Sequence, residues 1–575
     1  MIIKPGKIRE WMELHRIPPR FLFIIMGVVS TIWFLIRVIP KPSRAAYPCM
    51  RVAAPLMSGL VIYLVSIGGV TLAFRKARAN IIRGKYFITV VMLLTMTFFM
   101  VLSLTSGVHF LRAAETDYSG PEDGPNQPYG VPDGIIPGRV VWVWDQQATN
   151  ENCLNTFESK DYFFKPQNTN SEVVKNMFRA SITKLTGEST VPGSWDALFK
   201  NLNNKKYHKV NGYKKGEKIF IKINQGTSRW LLTDEDKENG YYYPETFEPT
   251  PLRQAACYGA CETGPYFVLE ILRELVYECG IAQEDISIGD PMTDIYGHNF
   301  EVWFSEFPKV AYLDKFAAHH NRTMTKPTEE DYLIYSNKLQ KDPLYDVIIN
   351  ADYLINVANL KPHMAAGISL TAKNHFGSQG RPTAGHLHNY LITPRGTAGS
   401  NGGYHKYRVR VDMMGSEYLG RNTVLYIVDG LFGGGSVETR VPVKYFMPPF
   451  NNDWCNSLFV SLDQVALESV CYDFLRTEWN GLNAHNPLNN RAEKNPNIRG
   501  VDDYLHQAAD SRNWPDGIKY DPDGSGTPIP SLGVHEHWNN PVDKQYSANL
   551  GTGNGIELVS IPDNLVRNIK SKRGK

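Results

Sequence analysis

The chain has 575 residues, a nearly balanced formal charge of +3 at pH 7, and 42% hydrophobic residues. That length exceeds one ordinary core, so a body of one large or two intimate domains is expected, and the apolar content excludes a disordered polymer. No basic stripe, zinc-finger spacing or single-strand-binding signature accompanies the balanced charge, so nucleic acid is not an expected partner.

Near the N-terminus, Phe21 to Ile36, Pro55 to Phe74 and Phe87 to Leu104 are uncharged apolar runs. Each approaches the roughly 20 residues that cross a hydrocarbon core. They predict a membrane anchor of three transmembrane helices over residues 1–106, which no single signal peptide would resemble. Cations cluster before the first run (Lys4, Lys7, Arg9, Arg16, Arg20) and between the second and third (Arg75, Lys76, Arg78, Arg83, Lys85). The positive-inside rule places both clusters in the cytoplasm, and three spans carry everything after Ser106 outside. The expected location is a bacterial inner membrane, multi-pass, with the C-terminal body periplasmic and the lipid bilayer as a partner. Gly27, Gly59, Gly68 and Gly69 would permit close helix packing, which suits an envelope protein partner.

The body carries Cys153, Cys257, Cys261, Cys279, Cys455 and Cys471, an even set that an oxidising compartment would allow to form disulfides. Their pairing does not follow from the sequence. Cys257-Tyr-Gly-Ala-Cys261 lacks the CxxC redox spacing, which leaves structural, free-thiol and metal readings open.

Residues 107–138 read as a linker rich in Gly, Pro, Asp and Asn. An α/β domain over 139–480 follows, with β-prone runs at Val140–Asp145, Ile219–Asn224, Ile286–Asp290, Val347–Asn350, Val424–Asp429 and Leu458–Asp463. Near-continuous apolar runs predict strands buried on both faces, as in a largely parallel sheet. Val173 to Leu185, Tyr266 to Cys279 and Val465 to Leu475 have helical spacing between them. The region 481–575, rich in Asn, Pro, Gly and His, reads as a loop-rich segment wrapped over the core.

Several strands end in Asp or Asn, and ligands of open α/β sheets bind beyond the carboxyl ends of strands. Asp145, Asn224, Asp290, Asp429 and Asp463 are therefore expected to converge on one crevice, although each can equally cap a turn. The densest constellation runs from Lys361-Pro-His363 through Lys373-Asn374-His375-Phe-Gly377 to Arg381, His386 and His388. Lys and Arg hold anions, neutral imidazoles bind metal or move protons, and Gly377 and Gly380 permit close backbone approach. Lys222 ends a buried strand and needs a partner. His535-Glu-His537 places two imidazoles on one face of an extended segment, a spacing that can chelate metal, although an exposed polar loop would read the same way. No GxSxG, GxxxxGK[ST], HExxH or GxGxxG fingerprint is present.

These pieces resemble an uncharacterised family, domain of unknown function 362. They are Lys222-Ile-Asn224, Ile286 to Asp290, Asn350 through Lys361-Pro-His363, Lys373-Asn374-His375-Phe-Gly377, Tyr426-Ile-Val-Asp429-Gly, and Ser461-Leu-Asp463-Gln-Val-Ala466. The resemblance covers residues 215–480 and implies an α/β domain, some of whose relatives carry iron–sulfur modules. This chain has no CxxCxxCxxxCP run, so an iron–sulfur cluster is not expected.

The leading expectation is a membrane-anchored extracytoplasmic protein that binds a small anionic ligand and a divalent metal ion. The anion would be held by Lys222, Asn224, Lys361, Asn374 and Arg381, with His363, Lys373, His375, Asp290 and Asp429 as acid–base candidates and His363, His535 and His537 as metal ligands. Whether it is an enzyme or a non-catalytic assembly module of an envelope complex stays open at this level.

Overall fold

The computed structural model describes residues 68–97, 123–156, 159, 161–226, 261–315, 321–336, 341–363, 366–388, 409–435, 441–479, 499–514, 519–522 and 524–566, with isolated positions between 28 and 64. Two units are present, Met1–Asp117 and Tyr118–Lys575.

In the first unit, the described helices run over 68–82 and 86–97. Among the described residues no helix is long and apolar enough to cross a membrane. This overturns the expected three-helix anchor and, with it, the multi-pass inner-membrane placement. The physical reason is visible at the second apolar run: its helix continues without a break through Arg75, Lys76 and Arg78. The described part of the next helix, 86–97, covers only part of the third run, Phe87 to Leu104. Most of Phe21 to Ile36 and of Pro55 to Phe74, and the end of Phe87 to Leu104, lie outside the described residues.

The second unit is a mixed α/β fold around a nine-stranded sheet. Its strands are β1 (Arg139–Trp144), β2 (Ile219–Lys222), β3 (Ile286–Gly289), β4 (Ala311–Asp314), β5 (Thr323–Met324), β6 (Tyr353–Asn359), β7 (Thr423–Gly430), β8 (Ser457–Ser461) and β9 (Glu557–Ile561). Their order across the sheet is β9-β1-β8-β7-β6-β2-β3-β4-β5. All neighbours pair in parallel except β8, which runs antiparallel to both β1 and β7. The C-terminal segment belongs to this unit, where β9 completes the sheet beside β1, and so does the stretch read as a linker from Tyr118 onward.

Alternation of side chains divides the apolar residues between two cores, one on each face. Val140 and Trp142 of β1 point into one core, Val141 and Val143 into the other. The second face is covered by α1 (Ser171–Thr186), α2 (Val191–Tyr207), α3 (Pro265–Arg273) and α4 (Gly297–Glu306). The first is covered by α5 (Val409–Gly415), α6 (Gln464–Glu478) and α7 (Arg499–Ala509). Burial on both faces is why β7 reads as a continuous apolar run; Val347–Asn350, expected as a strand, lies instead in a short helix (Asp346–Ile349), and the strand that follows it is β6. Helix α1 starts at Asn170, whose side chain accepts from Val173 N, and stops at Gly187 in the left-handed conformation that residues other than glycine disfavour.

The antiparallel course of β8 also corrects the expected convergence of strand-end acids. Its carboxyl end lies at the opposite edge from those of β2, β3, β6 and β7, and Asp463 there caps α6 by accepting from Ala466 N at 2.8 Å. Asp145 caps a short turn, accepting from Gln147 N at 2.9 Å.

Candidate functional site

Parallel strands β2, β3, β6 and β7 bring Lys222, Asp290, Asn359 and Asp429 to one edge of the sheet. Lys222 pairs with Gly289 on one side and Asn356 on the other, and Asp429 with Asn359. Fully buried, the Lys222 ammonium lies 2.9 Å from Asp290 Oδ1. It also donates to the Ile223 carbonyl at 2.6 Å and to Asn374 Oδ1 at 3.0 Å. Burial pulls its pKa down, and the Asp290 carboxylate opposes that shift. Asp290 Oδ2 accepts from Gln225 N at 3.0 Å. Gly377 closes over this pair: a Cβ there would stand 2.0 Å from Asp290 Oδ1 and 3.3 Å from Lys222 Nζ.

Asn374 links the strands. Its Oδ1 accepts from Asn224 Nδ2 at 3.1 Å as well as from Lys222, while its Nδ2 donates to Asn356 Oδ1 at 2.9 Å and to the Val357 carbonyl at 3.1 Å. Asn224 Oδ1 accepts in turn from Lys361 Nζ at 2.7 Å. The result is a continuous chain from Lys361 through two amides to Lys222 and Asp290. Asn356 Nδ2 donates to His375 Nε2 at 2.9 Å, so the imidazole proton sits on Nδ1, which faces Ser378 Oγ at 3.1 Å. Burial, then the charge of Lys222, pushes the His375 pKa down to about 3. His375 is therefore a neutral strut for the amides, with both ring nitrogens occupied.

Two further cations lie beside this network. Arg410, at the start of α5, is 1% exposed, and among the described residues its Nε, Nη1 and Nη2 have no hydrogen-bond partner. Its guanidinium lies over the Tyr504 ring, 3.7 Å from the centroid, and burial lowers its pKa while Tyr504, Glu468 and Asp503 oppose the shift. Lys373 is half-buried, with its ammonium 4.6 Å from the centroid of Phe376. Burial and the charges of Arg410, Lys361 and Lys222 push its pKa down to about 7, against the pull of Asp290.

Next to the network lies a crevice of about 310 Å³, lined by residues that include Glu262, Asn359, Asp429, Phe163 and Phe432. Asp429 Oδ1 accepts from Leu431 N at 3.0 Å, and burial raises its pKa to about 6. A carboxyl group poised there is suited to acid–base work.

The other expected site residues lie elsewhere. Arg381 is engaged by Asp342 and by the Lys341 carbonyl at 2.9 Å, and His386 approaches the same Asp342 at 2.7 Å. His363 sits in a short antiparallel pairing, opposite Gly367. His535 and His537 are buried far along the chain, where Asp123 and His506 with His535, and Asp502 with His535 and His537, form groups that could hold a metal ion. Sequence reading missed Arg410, whose stretch Lys406-Tyr-Arg-Val-Arg410 has no distinctive spacing. It also missed Asp502 and His506, although a four-residue interval on one helix was a usable signal. The disulfides that an oxidising compartment would permit are not formed among the described residues: Cys153, Cys261, Cys279, Cys455 and Cys471 are free, and Cys257 lies outside them.

No curated protein and no solved structure matches the chain. Lys222 and Asn224 lie before the stretch that matches a family, while Asp290, Lys361, Lys373, Asn374, Arg410 and Asp429 lie within it. That stretch, residues 256–473, matches the family described as Domain of unknown function (DUF362).

Proposed function

We propose that this chain binds a small anionic ligand at the carboxyl edge of its sheet, gripped by Arg410 and Lys373. The observation that carries this reading is the buried guanidinium of Arg410, which has no hydrogen-bond partner among the described residues. Leaving a buried charge unpaired costs several kcal/mol, and a guanidinium cannot shed its proton near pH 7. A bound anion would offset that cost and the mutual repulsion of Arg410, Lys373, Lys361 and Lys222, against which Asp290 supplies the paired carboxylate. With its pKa near 7, Lys373 is suited to pass a proton to or from the ligand, and Asp429 supplies a second acid–base group in the adjoining crevice. Arg381, committed to Asp342, has no part in it.

The test is calorimetric titration of the full chain with sulfate, inorganic phosphate and citrate. Saturable binding of at least one anion is expected, weakened tenfold or more, roughly the loss of one charge-assisted contact, in Arg410→Gln and in Lys373→Gln and kept in Arg381→Gln. Binding that survives Arg410→Gln, or no binding at millimolar anion, would overturn the reading.

We further propose a divalent metal ion as a second bound species, at the imidazole–carboxylate groups of the C-terminal segment. His375 has both ring nitrogens occupied and His363 lies in neither of those groups, which supports placing the ion there. Elemental analysis of the full chain with its His363→Ala and His535→Ala variants tests this, and loss of the ion in His363→Ala alone would refute it.

A further inference from the structure

Three chain segments meet at one buried point. Asp123 lies two residues before Pro125, which bridges His537; Asp502 and His506 lie one turn apart on α7; His535 and His537 alternate along one extended segment. Ligand atoms of Asp123, His506 and His535 all fall within 4.8 Å of one another, as do those of Asp502, His535 and His537. His535 belongs to both groups. Its Nε2 is buried without a hydrogen-bond partner among the described residues, and Asp123 Oδ2 stands 3.5 Å away. Asp123 also contacts His506 Nε2 closely, and Asp502 Oδ1 lies 3.1 Å from His537 Nε2.

The atoms behind the rings matter as much as those in front. His535 Nδ1 faces Ser469 Oγ at 2.8 Å, and His537 Nδ1 faces Asp473 Oδ1 at 2.8 Å. An imidazole held at Nδ1 by a carboxylate or hydroxyl presents Nε2 to a metal in a fixed direction. One group opposes this arrangement: Arg476 Nη1 lies 3.3 Å from His537 Nε2, although its Nε is held by Asp473 Oδ1 at 2.9 Å. The group of Asp123, His506 and His535 does not involve that contact.

We propose that Asp123, His506 and His535, completed by His537 and Asp502, bind one divalent ion of the zinc, cobalt, iron(II) or manganese class, and that this ion clasps the segment 123–130 to the body of the fold. This rests on the reading that a metal is bound at these groups. Imidazoles with carboxylates select borderline transition ions, whereas calcium and magnesium prefer all-oxygen sites. The clasp follows from what Asp123 leads into. Asn126 N donates to the His537 carbonyl at 2.9 Å, and Tyr129 and Gly130 pair antiparallel with His535 and Val534. A metal–carboxylate bond at Asp123 would therefore add a second hold on a segment that is otherwise kept by short pairing.

The experiment uses the full chain, stripped with chelator and reloaded with Zn²⁺ or Co²⁺, with Asp123→Asn, His506→Ala and His535→Ala beside it. About one ion per chain, by analogy with other closed sites, is expected in the wild type and in His363→Ala, and a marked loss in the three variants. Stripping is expected to lower Tm and to open protease cleavage within 123–130. If the ion is retained but Tm and cleavage do not change on stripping, the clasp is wrong and the metal reading stands. If the folded wild type takes up no ion above background, both fail. Should the alanine variants not fold, the Co²⁺ absorption of the wild type decides: bands of a nitrogen- and oxygen-ligated ion that Asp123→Asn shifts support the site, and their absence overturns it.

Discussion

Gly377 lies against Asp290 so closely that a single methyl group at its Cα would stand 2.0 Å from the carboxylate oxygen that pairs with Lys222. Backbone and buried ion pair thus share one fit. Gly377→Ala is expected to destabilise the fold by about 2–4 kcal/mol, because the added carbon must displace a charge from its partner. Urea unfolding of the full chain measures this; a loss below about 0.5 kcal/mol would mean that the pair can move freely.

Removing one half of that pair should be worse than removing both. Lys222→Met leaves Asp290 buried and unpaired, with an expected cost of about 3–5 kcal/mol. Adding Asp290→Asn should recover part of it, read as a positive coupling in a double-mutant cycle.

Arg410 separates function from structure. If it waits for an anion, Arg410→Met should raise stability in sulfate-free buffer by about 1–3 kcal/mol while abolishing sulfate binding. A structural arginine would instead lose stability with no change in sulfate affinity.

The pH dependence has a defined sign. Burial pushes the Asp412 carboxyl up to about 7 from an ordinary value of 3.8, so the folded state holds its proton more tightly than the unfolded chain. Its contribution is present below the unfolded pKa and is lost as pH rises toward 7, on the order of 4 kcal/mol. Asp412→Asn should flatten the fall in stability between about pH 4 and 7. Lys373 behaves oppositely: its folded pKa of about 7 lies below the ordinary 10.5, so it adds stability as pH rises above 7. Sulfate, doubly charged throughout, should bind several-fold more weakly at pH 8 than at pH 6, roughly following the ammonium population, and Lys373→Arg should remove that dependence.

Burial raises the thiol pKa of Cys153, Cys261 and Cys279 to about 12. Site-resolved alkylation of the native chain at pH 8 should leave these three unmodified and label them fully after denaturation.

Much of the sheet was legible because burial on both faces writes apolar runs directly into the chain: Ile219–Asn224, Ile286–Asp290 and Val424–Asp429 fall on β2, β3 and β7. The close approaches at Gly377 and Gly380 were legible too, and both hold, the latter against Pro327 and Leu344. Other properties are set by tertiary neighbours. Nothing local tells that β8 runs backwards, so Asp463 could not be assigned to the far edge. Nothing in Lys373-Asn374-His375 distinguishes an imidazole whose nitrogens are occupied from one free to act. At the N-terminus, apolar runs alone suggested spans, whereas the described helix joins the end of one run to the cationic stretch after it. Arg410 was invisible because an unpaired burial is a relationship between segments and leaves no spacing behind.

The pairing of β1 with β9 sets an order of events during synthesis. Arg139 meets Glu557 at 2.7 Å across 418 residues of chain, and β1 has β8 on its other side. A ribosome that has made the first strand must translate nearly the whole body before either neighbour exists. Until then Val140–Val143 is an apolar ribbon with both edges unpaired, a template for stray strands. Growing chains of this protein are therefore expected to depend on chaperones that shield β1 until β8 and then β9 emerge.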